Sequence, residues 1–420
     1  MPQSLTNGPR ILTFGCRLNA YESEVIRGHM KAGDQKNLVV VNSCAVTAEA
    51  ERQVRQAIRK AHRESPEAEI VVTGCAAQID PARYAALPGV TRVLGNAEKL
   101  RPESWQDGPQ PAVQVDDIMS LTETASHLTT AFAERTRAFV QIQQGCDHRC
   151  TFCIIPFGRG NNRSVPIGAL VQEVRRLVEA GVKEVVFTGV DITGYGSDLP
   201  GQPHLGQLCR RLLAQLPELP RLRLSSLDPV EIDEDLYRLL AEEPRLMPHL
   251  HLSVQAGADI ILKRMKRRHL RADVLSCVAR ARAARPDLVF GADLIAGFPT
   301  ESEADFMQTM TLVEEAGLTY LHVFPYSERP GTPAARMPAV AKSLRKERAQ
   351  RLRTLGERQV ARHLARRVGG RDTILIEKPG LGRAEDFSEV ILSDTRLAAG
   401  AIVAAELLAA RPACLEGRAL

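Results

Sequence analysis

The chain has 420 residues, 44% hydrophobic and 25% charged, with a formal net charge of +5. That length predicts two or three globular domains with real cores. No run approaches the ~18 consecutive apolar residues of a membrane span, and the start, MPQSLTNGPR, has no apolar leader-like stretch. A cytoplasmic protein with no membrane partner is expected, and in that reducing compartment nine cysteines point to metal or redox chemistry rather than a disulfide framework.

In residues 1–105 the runs ILTF (11–14), LVVVN (38–42) and IVVTG (70–74) predict buried strands, and segments 20–31 and 48–63 predict helices between them. Strand, helix, parallel strand implies an open parallel α/β sheet with right-handed crossovers. Cys16, Cys44 and Cys75 each fall just after one of these strands, in TFGC, VVNSC and VVTGC. Parallel strands present their carboxyl ends on one edge, where open α/β folds bind ligands, so three thiols distant in sequence can converge there. The alternative is three small buried residues near strand ends. PESWQDGPQPAVQVDD and TETASHLTT then read as a linker over 106–134.

From 137 to 330 the alternation is more regular. Strands are predicted at FVQIQ (139–143), EVVFTG (184–189), RLRLSS (221–226), HLHLSV (249–254), VFGADLI (289–295) and YLHVF (320–324), with helices near 167–180, 204–216, 233–243, 271–285 and 302–316. Six β/α units in series predict a full or partial barrel with its function at the strands' carboxyl ends. The loop after the first strand, QQGCDHRCTFCIIPFGRG, holds Cys146, Cys150 and Cys153 in the spacing C-x3-C-x2-C. Structural zinc takes four protein ligands; His148 could be the fourth, but it lies inside the same short loop. A 4Fe-4S cluster normally takes four thiolates, so three leave one iron open to a chelating substrate or cofactor. Gly189 and Asp191 in FTGVD, and the Gly297–Phe298–Pro299 turn, read equally well as ordinary β/α turns. Ser225, Ser226 and Gln255 end barrel strands and are further site candidates. Cys209, Cys277 and Cys414 stand alone and are expected to be buried, inert thiols.

Residues 342–371 hold eleven Lys/Arg against Glu347 and Glu357, a net +9 in a chain whose total is +5. Concentrated basicity favours a polyanionic partner. The alternative is a solvated connecting helix with an apolar face of Leu352, Leu355, Val360, Leu364 and Val368. The runs TILIEK, SEVILS and AIVAAELL then predict a small β module over 372–420.

The three-cysteine loop resembles the signature of the radical S-adenosylmethionine (SAM) superfamily, in which an aromatic residue, here Phe152, precedes the last cysteine. The resemblance implies that the open iron chelates SAM and that one electron from the cluster yields a 5′-deoxyadenosyl radical, which makes Cys146, Cys150 and Cys153 catalytic. It implies SAM contacts at Phe152, Gly189, Asp191, Ser225 and Gln255, and at Ile295 and Gly297 in ADLIAGFPTE.

TFGCRLNAYESE, NSCAVTAEAERQVRQ, VTGCAAQ, LRLSSLDPVEI, HLHLSVQAG, KRMKRRH, FPYSERPGTPA and EKPGLGRAEDFSEV extend the resemblance, over nearly the whole chain, to the methylthiotransferase branch. That branch implies a second 4Fe-4S cluster on Cys16, Cys44 and Cys75. One SAM would methylate a sulfur there, a second would supply the radical, and the methylthio group would join C2 of an adenine. The end of the chain resembles a TRAM domain. The implied domains are 1–105 (auxiliary cluster), 106–134 (linker), 135–366 (radical SAM, ending in the basic helix) and 367–420 (TRAM-like). Between Gly33 and Leu38 the branch usually has a longer, strand-bearing segment, so a smaller first sheet is expected.

Among the branch's groups, NSCAVTAEAERQ, GCRLNAYE and GVDITGYG are most similar to the group acting on N6-threonylcarbamoyladenosine beside the tRNA anticodon. The group acting on ribosomal protein S12 usually has Pro-Lys after its first cysteine, where Arg17 and Leu18 stand here. The implied partners are a tRNA anticodon loop, a reductant such as flavodoxin or ferredoxin, and an unidentified sulfur donor. The rival readings are the isopentenyl-adenosine and S12 activities and, outside enzymes, a two-cluster electron carrier or iron-dependent RNA-binding protein. Three cysteines per cluster and the six-unit barrel argue against the last two.

Overall fold

The computed structural model describes residues 9–31, 37–106, 108–122 and 136–420. The shortened segment after Gly33 and most of TETASHLTT lie outside the described residues.

The first sheet is parallel throughout, with strands in sequence order: β1 (Arg10–Thr13), β2 (Leu38–Ser43), β3 (Glu69–Gly74), β4 (Val90–Leu94) and β5 (Val113–Gln114). All six residues of β2 are buried because both faces of the sheet are covered. Val39, Val41, Ile70 and Val72 pack with Val54 and Ile58 of helix Ala48–Glu64. Val40 and Val71 point the other way, onto Ile26 and Met30 of helix Arg17–Lys31. The sheet is larger than the apolar runs predict, since β4 was not anticipated and β5 comes from the span expected to be linker.

The second unit has parallel strands β6 (Arg137–Gln141), β7 (Glu184–Thr188), β8 (Arg221–Leu224), β9 (Ser226–Leu227), β10 (His249–Gln255), β11 (Val289–Ala296) and β12 (Tyr320–Pro325). They pair in the orders β8-β7-β6 and β9-β10-β11-β12. β8 and β9 are one strand broken at Ser225, whose N–H donates to Phe187 O at 3.0 Å. The result is a six-stranded partial barrel with β6 and β12 as its open edges. Helices Ile167–Glu179, Leu205–Gln215, Glu234–Glu242, Arg271–Ala284 and Glu303–Glu315 fall where the periodicity predicts them. Leu250, Leu252, Val254, Phe290, Ala292 and Leu294 belong to the core shared with these helices. Alternation therefore turns His249, His251, Ser253, Gln255 and Asp293 to the barrel interior.

Helix Lys342–Arg367 leads to a closed five-stranded barrel of β13 (Arg371–Lys378), β14 (Leu381–Arg383), β15 (Glu389–Leu392), β16 (Ile402–Ala410) and β17 (Leu415–Ala419). Leu352, Leu355 and Leu364 are buried as expected. Val368 is a correction: it lies beyond the last helical turn and is 41% exposed. Several of the helix's cations are spent internally, Arg348 on Glu301 (2.9 Å), Arg351 on Glu303 (2.7 Å) and Arg367 on Asp372 and Asp386. Cys209, Cys277 and Cys414 are buried.

Between β14 and β15, Phe387 adopts a φ of +75° and reaches the amino ends of the large barrel's strands. Its ring stacks on His249 at 5.3 Å and carries the guanidinium groups of Arg17, Arg137, Arg223 and Arg383 at 5.7, 5.4, 5.0 and 4.8 Å. Glu184 neutralises part of this cluster, accepting from Arg223 Nε and an NH2 group at 3.1 Å and pairing with Arg137.

Candidate functional site

Tight glycine turns set the first three cysteines. Gly15 and Gly74 have φ of +94° and +95°; a Cβ on Gly15 would lie 2.7 Å from Cys44 Sγ, and one on Gly74 would strike Ser43 O. The turns after β1 and β3 thereby close over β2 and bring Cys16, Cys44 and Cys75 together at the carboxyl edge of the sheet. Cys44 and Cys75 are buried and Cys16 is exposed. Burial pushes the Cys44 thiol up to about 12, and the nearby Cys75 and Cys16 add to the rise.

Arg159, in the short helix Ile155–Arg159 that follows the C-x3-C-x2-C loop, crosses to this site. Its Nε donates to Cys75 Sγ at 3.1 Å, and its other nitrogens donate to Asn19 Oδ1 (2.5 Å) and Glu22 Oε2 (2.9 Å). Glu22 also accepts from Lys99 Nζ at 2.6 Å, and Lys99 donates to Asn96 Oδ1 at 2.7 Å. Arg159, Glu22 and Lys99 are at most 1% exposed, so two cations and one carboxylate lie in the dry seam beside Cys75. Burial opposes ionisation of Glu22, yet Arg159 and Lys99 hold its carboxyl below the usual range. The sequence reading missed this group; the only hint was Asn19 and Glu22 one helical turn apart after Cys16.

The second cysteine set sits on the loop after β6. The loop is pinned by Cys146 N–H to Gly160 O (3.1 Å), Thr151 N–H to Met265 O (3.0 Å) and Ala334 N–H to Thr151 O (2.9 Å). Arg267 spans Asp228 Oδ2 (2.8 Å) and Cys150 Sγ (3.6 Å). Burial pushes the Cys153 thiol up to about 12, the Ile155 N–H opposes the rise, and both Cys150 and Cys75 add to it. Cys75 thus acts on Cys153 across the two units. Gly158 lies directly on Cys75, where an added Cβ would stand 3.3 Å from the Cys75 Cβ. The helix that follows the second thiol loop therefore packs on the cysteine that ends β3.

The other expected residues spread around this loop. Phe152 packs edge-on to Phe298 (6.4 Å between centroids) in an apolar cluster that includes Ile295. Gly189 rests against Gln143, which the sequence reading passed over although it begins the cysteine loop. Gln143 Oε1 accepts from Val190 N–H and Asp191 N–H, both at 2.9 Å, and fixes the turn. Asp191 meets His148 Nε2 at 2.8 Å, Thr193 Oγ1 at 2.9 Å and Cys146 Sγ at 3.6 Å. Ser225 is buried at the strand break, and Gln255 takes a φ of +69° at the carboxyl end of β10. The Gly297 N–H is spent on Glu301 Oε2 at 2.8 Å.

Each set offers three sulfur donors, one of which meets a guanidinium group: Cys75 with Arg159 and Cys150 with Arg267. Such donors suit thiolates that bind iron, because hydrogen bonds to the sulfurs stabilise the charge of an iron–sulfur cluster. Three ligands leave one iron free for a small chelating molecule.

The family described as the Radical SAM superfamily matches residues 140–313, and Uncharacterized protein family UPF0004 matches residues 10–95. The chain is 53% identical to the threonylcarbamoyladenosine tRNA methylthiotransferase MtaB of Rickettsia prowazekii, over 95% of this chain and 94% of that protein. It is 35% identical to a tRNA-2-methylthio-N(6)-dimethylallyladenosine synthase of Cereibacter sphaeroides, over 98% of each. Its fold is similar to that of TsrM from Kitasatospora setae, a radical SAM methyltransferase, with a TM-score of 0.54 at 15% identity over 79% of this chain and 77% of that one.

Fold and sequence together define a radical SAM enzyme, whose partial barrel carries the cysteine loop at its mouth. With the amino-terminal three-cysteine sheet added, the chain belongs to the radical SAM methylthiotransferase family. The cofactors of that family are SAM and 4Fe-4S clusters.

Proposed function

We propose that this protein adds a methylthio group to C2 of N6-threonylcarbamoyladenosine at position 37 of tRNA, beside the anticodon, giving 2-methylthio-N6-threonylcarbamoyladenosine. The observation that carries this reading is Arg159, which reaches from the helix after one three-thiol loop to Cys75 of the other set. The threonylcarbamoyladenosine relative, at 53% identity, supports that nucleoside over the dimethylallyl one, at 35%.

In this reading Cys146, Cys150 and Cys153 hold the cluster that binds SAM, and Cys16, Cys44 and Cys75 hold the auxiliary one. When bound, these groups supply one-electron chemistry able to replace an unactivated adenine C–H bond and the sulfur to be transferred. The protein positions and shields. Arg267 and Arg159 orient one cysteine of each set, Gln143 fixes the Gly189–Asp191 turn, and the packed Glu22–Lys99 seam keeps water from Cys75. Phe152, Gly189, Asp191, Ser225, Gln255, Ile295 and Gly297 are the residues we assign to the rim around SAM.

The target base must leave its stack to enter, which an anticodon loop permits at a cost of about a few kcal/mol. Exposed Arg362, Arg366 and Arg371 would hold phosphates at the rim of a cleft of about 660 Å³ that the basic helix, the large barrel and the TRAM-like barrel enclose, with Asp287, Glu314 and Glu385 also in its lining. A reductant such as flavodoxin or ferredoxin and a sulfur donor complete the system. No helix among the described residues is long and apolar enough to cross a membrane, and a tRNA substrate supports a cytoplasmic site of action.

The test is nucleoside mass spectrometry of tRNA from a host lacking its own threonylcarbamoyladenosine methylthiotransferase, with and without this gene. Appearance of the methylthio derivative is expected. Gain of the group on isopentenyl-adenosine alone would overturn the nucleoside assignment, and no change in either would redirect the search to ribosomal protein S12.

A further inference from the structure

Below the two thiol sets, three side chains on adjacent strands lie level across the barrel interior. Asp293 on β11 is the register partner of His322 on β12, and His251 on β10 faces Gly291 of β11. A Cβ on Gly291 would strike His251 Nδ1, so the glycine makes room for that ring. Asp293 Oδ1 meets His251 Nε2 at 3.0 Å and His322 Nδ1 at 3.3 Å, and the imidazole centroids are 4.5 Å apart. His251 and Asp293 are 7% and 22% exposed, whereas His322 is 58% exposed. Asp293 therefore anchors His322 through Nδ1 and leaves the rest of an exposed ring open to a partner.

This group is tied to the cysteine loop through β10. Ser253 stands one step up the same face of β10, about 7 Å along the strand. Its carbonyl accepts from Arg267 at 2.8 Å, and Arg267 reaches Cys150. From the other side comes Arg17, the residue after Cys16. Its guanidinium lies 5.7 Å over the Phe387 ring, which stacks on His249 at 5.3 Å, and His249 stands 6.4 Å from His251. Among the described residues Arg17 has no hydrogen bond or ion pair. The neighbouring cations are committed: Arg223 to Glu184, Arg137 to Glu184 and Glu377, Arg383 to Glu377 and Glu389. Arg17 is the uncommitted cation of the chamber.

We propose that Arg17 and the Asp293-anchored His322 form a subsite for the carboxylate-bearing arm on N6 of the substrate base. This rests on the nucleoside assigned above and explains what reads it. An adenine whose C2 lies between the two thiol sets carries its N6 substituent away from them. A threonylcarbamoyl arm ends in a carboxylate and a hydroxyl, which a free guanidinium and an imidazole nitrogen can bind. A prenyl arm offers neither and would leave Arg17 and His322 desolvated without partners. Arg17 is a specificity residue in this scheme, and Asp293 is a positioning residue that acts through His322.

The test uses full-length protein reconstituted with iron and sulfide, and three anticodon stem-loops. One carries N6-threonylcarbamoyladenosine, one its carboxamide analogue, and one N6-isopentenyladenosine. Binding is read by fluorescence anisotropy and turnover by kcat and KM. Wild type should bind the carboxylate about 10- to 100-fold more tightly than the carboxamide. Arg17→Gln should bring that ratio close to one, with the change in KM, while both cluster EPR signals remain as the check on folding. Asp293→Asn should raise KM for the carboxylate substrate more than for the carboxamide. Failure of wild type to distinguish carboxylate from carboxamide, or a wild-type ratio in Arg17→Gln, would overturn the subsite while turnover of the threonylcarbamoyl loop upholds the nucleoside. Turnover of the isopentenyl loop alone would overturn both.

Discussion

Replacing Glu22 with Gln removes the carboxylate that bridges Arg159 and Lys99 while preserving shape. Both cations are at most 1% exposed, so neither can turn to water. Removing one partner of a buried pair costs about 3–5 kcal/mol, a large share of the roughly 5–15 kcal/mol that holds a domain together. The melting transition containing this seam should fall by roughly 10 °C or more in the apoprotein. The loss should be smaller once clusters are loaded, because Arg159 Nε already sits 3.1 Å from Cys75 Sγ and a metal-bound thiolate gives it a second anion. Anaerobic calorimetry of wild type and Glu22→Gln, each apo and reconstituted, reads both quantities. An apo variant melting alongside wild type would refute the buried charge network as a source of stability. An equal drop in both forms would refute the thiolate as Arg159's alternative partner.

Three more predictions bear on the chamber. Cys44→Ala should lose the auxiliary cluster's EPR signal and all methylthio product while still forming 5′-deoxyadenosine from SAM, whereas Cys150→Ala should lose SAM cleavage as well; chromatography with mass detection separates the two. Glu184 is buried, which opposes ionisation, but Arg223, Arg137 and Arg221 hold its carboxyl down at about 2, below the ordinary 4.5. Its folded value lies under its unfolded one, so its contribution of about 3 kcal/mol is complete above about pH 4.5 and fades as pH falls toward 2; melting temperature against pH should show that slope, and Glu184→Gln should flatten it. Arg362→Ala with Arg366→Ala should weaken tRNA binding whatever the nucleoside at position 37, and should lower the slope of log K against log salt by about 1.5 in filter-binding titrations.

The placement of Cys44 and Cys75 was legible because β2 and β3, buried on both faces, read as unbroken apolar runs, and the run of the half-buried β1 likewise ends close to Cys16. β4 escaped notice because Arg92 interrupts its pattern; the side chain is nearly buried and donates to Ser104 O at 2.8 Å, a contact no local pattern reveals. β5 has two residues, too short for any period. HLHLSV announced a strand correctly, but alternation alone does not say that its histidines meet Asp293 and His322, which lie 42 and 71 positions from His251. The same limit hid Glu22 and Lys99, 77 positions apart, and Arg159, which joins them only once the sheet has docked on the barrel. The basic segment was visible as charge, yet composition could not foretell that Arg348, Arg351 and Arg367 are consumed inside the protein.

Phe387 gives deletion experiments on this chain a double meaning. The carboxyl-terminal barrel is the stopper of the larger one. Cutting it away to test RNA affinity also pulls the cork, flooding from below a chamber built to keep Arg137, Arg223 and Glu184 dry. Lost turnover in such a truncation sums a weaker grip on tRNA with a leaking reaction vessel. Phe387→Ala in the intact chain opens the leak alone, and surface changes at Arg362 and Arg366 loosen the grip alone, so the two contributions come apart.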